Sequence, residues 1–156
     1  MMESSADFTA AVYVRWKPYL LKRYGKVDFD TESLSLDKDD NITELGLESP
    51  DLDAIDARYI GLLKFSEKGL VCINEILEEA YKHFQGMPWQ QSGKPVKKAY
   101  MTDLLNAVIE SGKKVKAKKF SGGWIEFDTN EDYEKAVSWA ESGELEKFIR
   151  LEREEA

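Results

Sequence analysis

Short apolar runs alternate with amphipathic stretches along most of this chain, and that alternation restricts it to the mixed α/β architectures. The run 59–65 reads Tyr-Ile-Gly-Leu-Leu-Lys-Phe, nearly continuous in apolar residues, as expected of a strand covered on both faces. Gly61 inside it suggests a close backbone approach. Ser66 can cap a helix that continues to about His83, with Leu70, Val71, Ile73, Ile76, Leu77 and Ala80 along one stripe. Residues 100–110 predict a second helix, apolar at Leu104, Leu105, Val108 and Ile109 and stopped by Gly112. Residues 113–120 then predict a strand, and beyond Ser121-Gly122-Gly123 a further short strand covers 124–127. Thr129 or Asn130 caps a helix to about Glu141. Gly143 breaks it, and a last amphipathic helix is expected to reach about Leu151.

The first third of the chain follows the same logic. Residues 10–14 are β-prone. Residues 15–24 look helical, with Pro18 near the first turn, where a missing N–H is tolerated, and Gly25 at the end. Segments 32–36 and 42–46 flank the polar cluster Asp37-Lys38-Asp39-Asp40-Asn41, which predicts a β-hairpin. Residues 47–55 read as an acidic loop, and 85–95, with Gly86, Pro88, Gly93 and Pro95, as another. The expected organisation is an extension over 1–10, one domain over 11–151 and an acidic tail over 152–156.

Composition narrows the classes of function. With 22 basic and 30 acidic side chains the formal charge is −8, which works against nonspecific binding of nucleic acid. One basic cluster stands out, Lys113, Lys114, Lys116, Lys118 and Lys119. It reads as a strand with a lysine-lined outer face that resists edge-to-edge association, or else as a phosphate-attracting edge. The 156 residues contain no long apolar run, one cysteine and one histidine. An internal disulfide is therefore excluded, and a cytoplasmic setting without a membrane span is expected. A single histidine also argues against a Ser-His-Asp triad or a His-rich metal site.

Chemistry concentrates in Gly122-Gly123-Trp124-Ile125-Glu126-Phe127-Asp128-Thr129. Two carboxylates two residues apart on a strand share one face, and Asp128 precedes a helix N-terminus. Hard oxygen ligands so placed suit Mg²⁺, which takes one or two carboxylates and leaves its other positions to water and phosphate. The competing reading makes Asp128 a helix cap and Glu126 a surface residue. Cys72 lies on a helical apolar stripe and reads as a structural thiol. His83 reads as a helix-end surface residue, Trp89 as a loop aromatic packed beneath its loop or closing over a ligand, and Trp16 and Trp139 as helix contacts.

Three segments occur in order: Tyr-Ile-Gly-Leu-Leu-Lys-Phe-Ser (59–66), Ala-Tyr-Met-Thr-Asp-Leu-Leu (99–105), and Gly-Gly-Trp-Ile-Glu-Phe-Asp-Thr-Asn-Glu-Asp (122–132). Together they resemble the C-terminal half of nucleotidyltransferases of the phosphocholine cytidylyltransferase and sugar-phosphate type, as in the transferase domains found with phosphoenolpyruvate mutase. The resemblance covers roughly residues 11–140. It implies a partial Rossmann-like fold, a mixed sheet with flanking helices and a β-hairpin. It implies a transfer from CTP, or another nucleoside triphosphate, to a phosphorylated alcohol or phosphonate. It makes Asp128 a Mg²⁺ ligand with Glu126 beside it, and makes Tyr100, Asp103 and Glu126 candidates for acceptor binding. Aromatic rings and an acid suit a quaternary ammonium, whereas Asp103 as a helix N-terminal charge and Tyr100 as a packing residue are the plain alternatives. The glycine-rich Gly-x-Gly-x-Arg loop of that family and its second metal-binding Asp have no counterpart here, and Arg58 stands where an acidic residue usually precedes Tyr-Ile-Gly. The expectation is a metal- and acceptor-binding half that works with a nucleotide-binding half on another chain, or as a homo-oligomer. The alternative is a non-catalytic binding or regulatory module.

Overall fold

The computed structural model describes residues 4–48 and 51–149. Its elements are strands β1 (Phe8–Tyr13), β2 (Glu32–Leu36), β3 (Asn41–Glu48), β4 (Arg58–Phe65) and β5 (Val115–Phe120), with helices α1 (Trp16–Tyr24), α2 (Glu67–His83), α3 (Met101–Glu110) and α4 (Asn130–Glu141). The five strands form one mixed sheet in the order β2-β3-β5-β1-β4. Only β1 and β5 are parallel, in register from Phe8 opposite Val115 to Tyr13 opposite Phe120. The other pairs are antiparallel. This is a mixed α/β fold, consistent with a partial Rossmann-like fold.

Period-two alternation sorts the strands. Phe8, Ala10 and Val12 of β1, with Val115 and Ala117 of β5, face a core completed by Ile73 of α2 and by Leu105 and Val108 of α3. The second cluster gathers where β1 and β5 end: Tyr13, Trp16, Tyr19, Leu20 and Phe148 are buried, with Trp124, Ile125 and Trp139 against them. Trp89 is buried under its own loop with Ala80, Val96 and Ala107, the packing role foreseen for it. Cys72 is half-buried on α2 and His83 is exposed at the helix end.

Helix ends follow the expected chemistry. Gly25 closes α1 at φ 74°, a left-handed conformation open to glycine without strain. Ser66 Oγ accepts from Gly69 N at the start of α2. Thr129 and Asp132 cap α4 reciprocally. The hairpin β2–β3 forms around Asp37, whose carboxylate accepts from the backbone N–H groups of Asp39 and Asn41.

Five expectations are corrected. The strand at 59–65 lies at the sheet edge and is only partly covered: Tyr59, Leu63 and Phe65 pack on one cluster and Ile60 on the other, while Leu62 is 55% exposed. Gly61 answers to its φ of +78°, not to a close approach, since an added Cβ would meet nothing within 4 Å. The lysine-rich strand lies inside the sheet between β3 and β1, so it is no free edge; Lys119 pairs with Asp40. Residues 124–127 form no ladder. Trp124 and Ile125 both sink into the aromatic cluster, which breaks the alternation a strand needs, and Gly123 N donates to Phe148 O. The last amphipathic helix is instead a 3-10 turn, Glu144–Lys147; Phe148 and Ile149 follow it outside any helix, and residues 150–151, with the acidic tail, lie outside the described residues.

Candidate functional site

Ligands of open α/β sheets sit outside the carboxyl ends of parallel strands. Here β1 and β5 are the parallel pair. From the end of β1 the chain passes into α1, and from the end of β5 into the 121–129 connector. Arg58, the first residue of β4, is opposite Tyr13 at the same end. A cavity of ≈ 370 Å³ opens there, lined by Asp30, Glu32, Ser33, Arg58, Tyr59, Glu126 and Asp128. A larger cleft of ≈ 550 Å³ runs between the end of α2 and residues 95–98, lined by Tyr81, Phe84, Val96 and Lys97 among others. That cleft holds no carboxylate and none of the expected site residues, whereas the smaller cavity holds Glu126 and Asp128.

One buried arginine organises the cavity floor. Trp16, Tyr19, Leu20 and Arg23 occupy one buried face of α1, so a guanidinium is carried inward on an otherwise apolar stripe. Arg23 donates through Nε and Nη2 to both oxygens of Asp132, each at 2.8 Å. It also reaches Glu126 Oε2 at 2.6 Å and Asp128 Oδ2 at 2.7 Å. The bidentate fork fixes α1 to α4, and the remaining donors fix the connector. Tyr19 adds a second hold: its hydroxyl accepts from Glu126 N at 2.9 Å. The two connector carboxylates therefore converge because one guanidinium grips both, and not through the shared face of a strand, which does not form here.

Asp30 completes the group from the turn before β2. Arg58 Nη2 donates to Asp30 Oδ2 at 2.9 Å and lies 3.4 Å from Glu126 Oε2. Asp30, Glu126 and Asp128 offer ligand oxygens within 4.8 Å of one another. In each carboxylate one oxygen is engaged by a guanidinium. Among the described residues no protein hydrogen bond reaches Glu126 Oε1, Asp128 Oδ1 or Asp30 Oδ1. Three hard donors with an unengaged oxygen apiece fit a hydrated divalent cation such as Mg²⁺.

Charge and burial shape the titrations. Arg23 hydrogen bonding, working against burial, holds the Asp132 carboxyl well below the usual carboxylate range. Burial alone would discourage the Arg23 charge, but its hydrogen bonds to Asp132 and Asp128 carry its pKa above the ordinary value. Tyr24, whose ring stacks 4.5 Å from the Arg23 guanidinium carbon, is pushed up to about 12, chiefly by burial. Glu32 is raised by loss of water around its carboxyl, with Asp30, Glu48 and Asp103 adding and Arg58 opposing.

Glu126 and Asp128 thus line one cavity, whereas Tyr100 and Asp103 do not line it. Asp103 is 1% exposed, and both its oxygens accept backbone N–H groups, from Tyr100 at 2.7 Å and Ser92 at 3.0 Å. That arrangement starts α3 and ties down the 85–95 loop. Tyr100 is half-exposed with Lys94 Nζ 4.5 Å from its ring centroid. Arg23, Asp30 and Asp132 escaped the sequence reading. For Arg23 a signal existed, an arginine seven residues after Trp16 on the stripe through Tyr19 and Leu20. Asp132 was visible only as the third position after a Thr129 cap, and nothing local marks Asp30.

Over 141 residues the chain is 30% identical to a CTP:phosphoglutamine cytidylyltransferase of Campylobacter jejuni, an alignment covering 86% of this chain and 51% of the relative. The chain spans about half the length of that curated relative. No protein-family model matches.

Proposed function

Because this chain is related to the cytidylyltransferase-type nucleotidyltransferases, we propose that it supplies the metal- and acceptor-side residues of a transfer of a cytidylyl group from CTP to a phosphorylated alcohol or phosphonate, with release of pyrophosphate. The observation that carries this reading is the convergence of Asp30, Glu126 and Asp128 in one cavity beyond the ends of the parallel strands.

Within it, Asp128 and Glu126, with Asp30, would hold Mg²⁺. The ion, when bound, supplies neutralisation of charge at the α-phosphate. Arg23 fixes where the Glu126 and Asp128 carboxylates point, and Tyr19 fixes the backbone between them. Ser33, Tyr59 and Glu32 give the cavity a hydroxyl, an aromatic face and a further acid for an acceptor. Tyr100 and Asp103 act in acceptor choice indirectly, by shaping the loop 85–95 and by the Asp103 charge felt at Glu32. The glycine-rich triphosphate loop comes from another polypeptide segment, or else a second copy of the chain covers the face that this half leaves bare, and the protein works in the cytoplasm.

The test is pyrophosphate release with Mg²⁺, CTP and an acceptor panel of phosphocholine, aminoethylphosphonate, phosphorylated amides and sugar 1-phosphates, with Asp128→Ala as control. Release that needs both an acceptor and Asp128 supports the transferase reading. A second reading, a non-catalytic binding module, is favoured by one observation: guanidinium groups already engage every carboxylate of the cluster. Acceptor binding that survives Asp128→Ala, with no release under any condition, would favour it.

A further inference from the structure

The cluster contains its own cations, and the two differ. Arg23 has a side chain 1% exposed, lies on a helix and is clamped by both oxygens of Asp132. Arg58 is held less firmly, by the backbone carbonyl and one carboxylate oxygen of Asp30 and by a longer contact to Glu126. Its side chain is 15% exposed, it starts an edge strand, and its carboxylate partner Asp30 is 56% exposed. Its Nε is buried without any hydrogen-bond partner. A buried donor left unpaired raises the free energy of that arrangement, so the Arg58 guanidinium sits over Asp30 and Glu126 at a cost that Arg23 does not bear. The carboxylates it bridges are two of the three that offer oxygens to a cation. A tethered unit charge and a divalent ion on the same carboxylates repel one another at close range.

We infer that Arg58 is a built-in counter-cation of the Asp30–Glu126–Asp128 cluster, one that a divalent ion must push aside, so that this residue sets a weak affinity for the metal. The inference rests on the metal reading given under the proposed function and adds what that reading lacks, a residue that limits occupancy. Arg23 stays in place on metal binding because removing it would strand Asp132 in the interior. Arg58 can swing outward toward solvent while its strand remains paired to β1.

The experiment measures Mn²⁺ binding to the full chain by the loss of free-ion electron paramagnetic resonance signal. The proteins are wild type, Arg58→Met, Arg58→Gln, and each with Asp128→Asn added; circular dichroism reports folding. Arg58→Gln keeps an amide donor for Asp30 while removing the charge, and it serves if Arg58→Met fails to fold. The expected result is binding about tenfold tighter in the Arg58 variants, as for removal of a unit charge close to a dication, and loss of that gain with Asp128→Asn. Unchanged or weaker binding in both Arg58 variants, alongside wild-type binding that still depends on Asp128, overturns the role of Arg58 and leaves the metal reading standing. Absence of Asp128-dependent binding in every protein overturns the metal reading itself.

Discussion

Arg23 is the residue on which the site depends. Its guanidinium is buried, and four hydrogen bonds to three carboxylates satisfy it. Removing one partner of a buried ionic network leaves the others uncompensated, at a cost of about 3–5 kcal/mol. Arg23→Met keeps most of the apolar stem and deletes the charge. Its unfolding free energy in urea should drop by that amount, and a loss within ~1 kcal/mol would mean that the carboxylates find other partners. Charge sign makes Arg23 invisible to simple pattern reading: arginine on a helix is taken as surface unless the stripe Trp16, Tyr19, Leu20, Arg23 is followed one step further. Glu126 and Asp128 were legible because their motif is local. Asp30 was not, because only the fold brings a turn residue near a connector ninety-odd positions away.

At the scale of elements, the connector 121–129 shows what sequence pattern can and cannot deliver. Helix caps were readable, since Ser66, Thr129 and Gly25 act on their immediate neighbours. The hairpin turn was readable for the same reason. A strand, however, needs a partner edge, and among the described residues none pairs with 124–127. The connector is held instead by side chains, chiefly Arg23 and the Tyr19 hydroxyl. Tyr19→Phe removes one hydrogen bond to a part-buried backbone N–H and should cost about 1 kcal/mol. Its distinctive sign is faster hydrogen exchange at the Glu126 amide than at Ala136 of α4. Equal protection at both sites in wild type and variant would show that Tyr19 only packs. Thr129→Ala should cost α4 its cap, about 1 kcal/mol, read as a lower thermal midpoint with the α4 amides exchanging first. The same dependence on tertiary context explains β4, whose apolar run describes a central strand while its position at the sheet edge leaves Leu62 exposed.

For the molecule as a whole, the carboxylate–guanidinium network is the joint between α1, α4, the connector and β4, so acid should act through it. Asp132 titrates lower in the folded chain than the ~3.9 of an unfolded aspartate. Above about pH 5 both states carry the ionised group and its stabilisation is complete. Below that, the unfolded chain takes up the proton first, and stability falls by at most ~1.4 kcal/mol per pH unit from this group until the folded carboxyl protonates as well. Glu32 acts with the opposite sign: its pKa is raised in the folded chain, so its protonation favours folding and acidification through that pKa restores stability. Urea unfolding of wild type and Asp132→Asn near neutrality and at about pH 3 separates these effects. The gap between the two proteins should shrink by roughly 1 kcal/mol at the lower pH, because the wild type alone loses the Asp132 contribution. Glu32→Gln should steepen the acid loss by deleting the opposing group. A gap that stays constant across that range would place the acid sensitivity outside the Arg23–Asp132 pair and make the joint mechanically passive, held by the aromatic packing of Tyr13, Tyr19, Trp124 and Phe148 instead.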